Sequence, residues 1–131
     1  MKYCLDTNTL TYYFKGLGNV SMRLLANSSA DVAVSAIVLF ELEVGIAKEA
    51  SPRKRKAQLD DFLSLIKVLP FGFEEAKQAA EIRVRLEKQG NPIGPYDILI
   101  AATALAKNST LVTHNVKEFG RIQGLKLEDW F

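Results

Sequence analysis

The sequence predicts an α/β fold: a mostly parallel five-stranded sheet flanked by helices. Short stretches of three or four residues, apolar on both faces, mark strands covered above and below, as in parallel sheets. Segments with apolar residues at helical spacing alternate with them, which is the pattern of a layered α/β domain. A length of 131 residues suits one domain with a substantial core, and no repeat or linker divides residues 1–131.

The elements follow in order. Residues 2–5 form the first strand, and a helix over 9–15 ends at Gly16-Leu17-Gly18. A second helix is expected over 20–26. Residues 31–34 read as the second strand, and Ser35 is a good N-cap for a helix running to about Lys48. Within that helix Gly45 weakens the backbone, which suggests close approach by another element. Pro52 suits the first position of the next helix, expected to reach about Ile66. Lys67-Val68-Leu69 is a third strand, closed by Pro70. A long helix over 74–89 spaces Glu81 and Arg85 for an i,i+4 pair and stops at Gly90. Gly94 caps a helix from Pro95 to about Lys107, the fourth strand covers 110–113, and a short helix over 116–119 precedes a strand at 125–127.

Composition narrows the class. Apolar residues make up 48% and charged residues 24%, so the chain is globular rather than disordered. A net charge of +2 is too small to identify a nucleic-acid partner. The single cysteine, Cys4, excludes an internal disulfide framework and reads as a small buried hydrophobe. No apolar run approaches the ~18 residues a membrane span needs. The N-terminus lacks a signal-peptide pattern, so a cytoplasmic protein with no membrane contact is expected.

Four acids interrupt these apolar segments. Asp6 follows the first strand, Glu41 lies among Ile37, Val38, Val44 and Gly45, Asp97 opens a nearly apolar helix, and Glu118 follows the fourth strand. Each has an ordinary reading: Asp6 as an N-cap, Asp97 as a partner of the helix dipole, Glu41 and Glu118 as solvated helix residues. Glu43 is an alternative to Glu41, because Leu39, Phe40 and Ile46 surround it, and spacing does not separate the two. A buried carboxylate is costly unless a cation meets it, and no Lys or Arg adjoins the first three in sequence. Ligands of such folds gather at the carboxyl ends of the strands. Converging acids without basic partners there suit a hard divalent cation. Thr7 and Asn8 are expected to orient Asp6, and Asn115 to support the site. His114 reads as a surface residue or a substrate contact.

The segments Asp6-Thr7-Asn8 after a strand, Ser35-x5-Glu41-Leu42-x2-Gly45, Gly94-Pro95-Tyr96-Asp97 on a helix, and Leu111-Val112-Thr113-x-Asn115-x2-Glu118-Phe119 together resemble the PIN domain. More closely they are similar to the VapC toxins of bacterial toxin–antitoxin pairs, through to the Glu128-Asp129-Trp130 ending. The resemblance implies a PIN-like three-layer α/β/α fold and an endoribonuclease dependent on Mg2+ or Mn2+. It also implies a cognate VapB-type antitoxin, a homodimer that joins a larger hetero-oligomer, and initiator transfer RNA cut in the anticodon loop. Carried across by motif, the metal-binding acids are Asp6, Glu41 and Asp97, which decides against Glu43. Asn115 stands where many members have aspartate, so the fourth ligand is Asn115 or, as substitute, Glu118. Carboxylates around such ions activate water for in-line attack and leave 5′-phosphate and 3′-hydroxyl ends.

Arg53, Lys54, Arg55 and Lys56 form a basic block in a helix's first turn, where the dipole disfavours cations. It is a solvated face, or a contact to RNA phosphates or the antitoxin. Tyr12 and Lys15 could meet loop bases near the site's mouth, with Phe14 in the core or a dimer contact. Two rivals remain. An aspartyl-phosphate phosphatase needs a second carboxylate where Asn8 stands, and a non-catalytic PIN-like module would bind RNA or protein without cutting. Nucleotide-cofactor patterns are absent.

Overall fold

The computed structural model describes residues 1–131. Its strands are β1 (Tyr3–Leu5), β2 (Val32–Ser35), β3 (Lys67–Leu69), β4 (Thr110–Val112) and β5 (Leu127–Glu128). They make one sheet in the spatial order β3-β2-β1-β4-β5, and every pairing is parallel. Parallel neighbours need crossovers, and helices supply them. Helices α1 (Thr7–Lys15) and α2 (Val20–Leu25) link β1 to β2, and α3 (Ala36–Ala47) and α4 (Arg53–Leu63) link β2 to β3. The chain then returns through α5 (Phe73–Lys88) and α6 (Pro95–Ala106) to β4, and α7 (Val116–Phe119) leads to β5.

Successive side chains of a strand point to opposite faces, and every residue of β1 and β2 is buried. Both faces of the central sheet are therefore covered, giving three layers. The edge strands β3 and β5 are more open. Helix α6 buries Ile98, Ile100 and the stretch Ala101–Ala104, small side chains that suit close packing. Cys4 is fully buried, and burial pushes its thiol up to about 12. Trp130 packs edge-on to Tyr3, with centroids 5.0 Å apart, and ties the C-terminus to the sheet.

Several boundaries differ from the sequence expectation. Helix α1 starts at Thr7 rather than residue 9, because Asp6 caps it and accepts from the Thr9 N–H at 2.9 Å. Pro52 occupies the cap position of α4 rather than its first turn, and the helix ends at Leu63. The last strand begins at Leu127, because the Leu125 N–H turns back to the Ile122 carbonyl. Arg85 bonds Gln123 at 2.7 Å rather than Glu81, while Arg83 and Glu87 make an i,i+4 pair at 2.9 Å. Nothing approaches Gly45: a Cβ there would meet no atom within 4 Å.

Candidate active site

Strand order decides where the acids meet. The chain leaves β1 towards β2 on one side and returns to β4 on the other, so a crevice opens at the carboxyl ends beside β1. Asp6 is the first residue past β1, and its N–H bonds the Val112 carbonyl at the end of β4, at 3.0 Å. Its carboxylate accepts from the Thr9 N–H at 2.9 Å and from the Thr113 hydroxyl, while the Thr9 hydroxyl donates to the Val112 carbonyl at 3.2 Å. Burial raises its pKa above the ordinary value despite those bonds.

Glu41, in the middle of α3, accepts from the Thr7 hydroxyl at 2.6 Å, which ties α3 to the start of α1. Glu43 is exposed and instead meets Lys56 at 3.5 Å. Asp97 is the third residue of α6, with Gly94 as cap and Pro95 first, as the sequence predicts. Its carboxyl is pushed from 3.8 up to about 6, by burial first and then by the charges of Glu118, Glu41 and Asp6. The charges of three acids from separate elements thus reach Asp97.

Glu118 is held below its ordinary value, first by the Asn115 side-chain amide at 2.9 Å, then by the Gly94 N–H at 3.3 Å and nearby Arg121. Asn115 also caps α7 and takes its own N–H to the Thr113 hydroxyl. Its side-chain amide and the Glu118 carboxylate, the two candidates for the fourth ligand, are therefore hydrogen-bonded to each other. No lysine or arginine pairs with Asp6, Glu41 or Asp97. As they stand, no three acids close on one point as a finished cage. Thr7 and Asn115 each hydrogen-bond one of these carboxylates, Glu41 and Glu118. An all-oxygen set of this kind could receive a hard cation.

Of the other expected residues, Thr7 and Asn8 lie differently from the expectation. Thr7 bonds Glu41 rather than orienting Asp6, and Asn8 is exposed; Thr9 and Thr113 orient Asp6 instead. Tyr12 is half-buried against Phe131 and His114, and Lys15 is exposed. Phe14 packs on Tyr13 and Phe62. The basic block does not form one patch. Arg53 and Lys54 are exposed, Lys56 meets Glu43 and Asp60, and Arg55 lies over Phe14.

One acid escaped the sequence reading. Asp129 follows β5, and its charge reaches Asp6. Burial raises its carboxyl, but the Phe131 N–H and His114, at 2.9 Å each, outweigh that and hold it low. Its place just beyond the last strand was the available signal.

Comparison with known proteins agrees with this fold. The PIN domain model matches residues 3–125. Ribonuclease VapC2 of Rickettsia felis is 40% identical, covering 99% of this chain and 98% of that protein. The tRNA(fMet)-specific endonuclease VapC of Salmonella typhimurium is 36% identical, with the same coverage of each. Among solved structures, DNA-bound VapBC from Salmonella typhimurium superposes with a TM-score of 0.94 over 100% of this chain and 99% of that one, at 36% identity. VapBC2 from Rickettsia felis, bound to a promoter DNA fragment, gives 0.90 over 100% of both chains at 40% identity.

Proposed function

The chain belongs to the PIN domain family and, within it, to the VapC ribonucleases, and on that premise we propose that it is the toxin of a type II toxin–antitoxin pair. It is an endoribonuclease, a hydrolase of phosphodiester bonds, and its substrate is initiator transfer RNA cut in the anticodon loop. One observation carries the reading. Asp6, Glu41 and Glu118 all act by their charge on Asp97 in the crevice beside β1, and no lysine or arginine pairs with Asp6, Glu41 or Asp97.

PIN-domain nucleases are generally dependent on divalent metal, and this oxygen-only donor set suits Mg2+ or Mn2+. Asp6 and Asp97 would hold the ion, Glu41 would complete its shell or orient the attacking water, and Glu118 would be the fourth carboxylate. Bound there, the ion supplies water activation and neutralises charge on the scissile phosphate. The protein's share is positioning. Thr9 and Thr113 fix Asp6, Thr7 fixes Glu41, and Asn115 with the Gly94 N–H fixes Glu118. In-line attack by water leaves 5′-phosphate and 3′-hydroxyl ends.

The two similar complexes named above pair a VapC chain with its VapB. Residues 1–131 act as one PIN domain, dimerise, and join a VapB-type antitoxin in a larger assembly. No helix is long and apolar enough to cross a membrane, and the RNA substrate places the activity in the cytoplasm. The test is cleavage of total transfer RNA with Mg2+ or Mn2+, with end mapping. Cutting in the anticodon loop, lost in chelator and in Asp6→Asn, is the expected result. Cleavage persisting in chelator, or 2′,3′-cyclic phosphate ends, would overturn the mechanism. Binding without cleavage would restore the non-catalytic module.

A further inference from the structure

Of the four basic residues opening α4, Arg55 alone turns inward. Its guanidinium lies over the Phe14 ring, 5.2 Å from the centroid, and only 22% of the side chain is exposed. The Glu49 carboxylate is 3.9 Å from Nε, too far for a hydrogen bond. Nη1 is shut off from solvent and donates to nothing. Unpaired buried donors are rare in folded proteins and call for an explanation.

Arg55 lines a groove of about 180 Å³ with Thr7, Lys15, Glu41, Gly45 and Glu49. Thr7 and Glu41, joined by their hydrogen bond, are part of its lining, so the groove borders the acidic site at Glu41. Gly45 is part of the lining, and a Cβ there would stand in open space. The Phe14 ring helps hold the guanidinium in place, and since Nη1 is closed off, the edge formed by Nε and Nη2, which also makes no hydrogen bond, is the one left for a ligand in the groove. A planar fork with free donors matches two oxygens of a phosphate.

We propose that Arg55, assisted by Lys15, binds the RNA backbone phosphate next to the scissile one, in the groove between α1 and α3. This rests on the reading of Asp6, Glu41 and Asp97 as the cleavage site. A strand whose scissile phosphate lies over those acids must leave along an opening that borders them. This groove is such an opening, and it offers two cations. Glu41 and Glu49 also line it and repel an anion, so any phosphate there depends on direct contact with the two cations rather than on a broad positive field.

The test uses a stem-loop RNA carrying the initiator anticodon arm, together with versions bearing one uncharged methylphosphonate immediately 5′ or 3′ of the cut. Each is placed on a 2′-deoxy residue and compared with its 2′-deoxy phosphodiester control. Arg55→Met keeps the packing on Phe14 but removes the fork. It should raise KM roughly tenfold or more with kcat little changed, the scale of a hydrogen bond to a charged group. It should also lower the salt slope of binding by about 0.7, one single-strand phosphate contact. One of the methylphosphonates should cost the wild type the same factor and cost Arg55→Met nothing further. Arg55→Lys should recover the salt slope but only part of KM. An unchanged KM, or effects of variant and methylphosphonate that simply multiply, would overturn the proposal. So would an unchanged KM with weakened inhibition by the antitoxin, which would assign the groove to that partner. A wild type that cuts no RNA would bring down the functional reading and this inference together. A wild type that cuts while Arg55→Met matches it would bring down this inference alone.

Discussion

The carboxyl of Asp97 is pushed from 3.8 up to about 6 by burial and by Glu118, Glu41 and Asp6, so the folded chain holds that proton more tightly than the unfolded one. The sign follows: without metal, this group's contribution to stability falls as pH rises from 3.8 through about 6. Asp97→Asn removes the penalty. In chelator near neutral pH the variant should melt above the wild type, and its advantage should shrink as pH is lowered towards 3.8. Cleavage should move the other way and fall roughly a hundredfold or more, as when a group that stabilises the transition state is removed. Melting curves in chelator and initial rates with metal check both, and parallel pH profiles would deny the repulsion. Asp6, Glu41 and Asp97 were legible because each breaks an apolar setting. Thr9 and Thr113 were not, because a threonine at a strand or helix end is ordinary until its partner, as many as 107 positions away, is in place.

At the scale of elements, the end of α1 tests local backbone geometry against packing. Gly16 and Gly18 both have positive φ, +69° and +65°, where an L side chain is strained. A Cβ at Gly16 meets nothing within 4 Å, whereas one at Gly18 would lie 2.7 Å from the Phe131 carbonyl oxygen. Gly16→Ala should therefore cost only the backbone term, about 1–2 kcal/mol. Gly18→Ala should cost more, because it also displaces the C-terminal residue. Chemical denaturation separates them, and equal losses would mean that Phe131 yields freely. The turn was legible from its glycines; the contact with Phe131 was not, since it joins opposite ends of the chain. Helix geometry also explains why the basic block did not act as a unit. Consecutive residues turn about 100° apart, so Arg55 faces α1 while its neighbours face solvent or Glu43.

For the whole molecule, strand order β3-β2-β1-β4-β5 puts β1 at the centre and the ends of β1 and β4 side by side. Acids from α1's cap, α3 and α7 bring their charge to Asp97 of α6 only in the complete fold. An ion that binds them must therefore favour the folded state by mass action. At a hundred times its dissociation constant the gain is about 2.7 kcal/mol. Mn2+ should raise the wild-type melting midpoint in a concentration-dependent way, while Asp6→Asn should respond little. A midpoint indifferent to Mn2+ would mean that the folded acids do not bind the ion.

By itself the sequence determined the alternation of strands and helices, the parallel class of sheet, most caps, and a set of acids with no basic neighbour. These follow from periodicity and capping, which act over a few residues. Only the tertiary structure joined Glu41 to Thr7 and Glu43 to Lys56, bonded Asn115 to Glu118, brought the charge of Asp129 to bear on Asp6, and turned Arg55 onto Phe14. Each of those depends on which distant side chains meet once the strands have lined up and each helix has settled its rotation, and no local pattern encodes that.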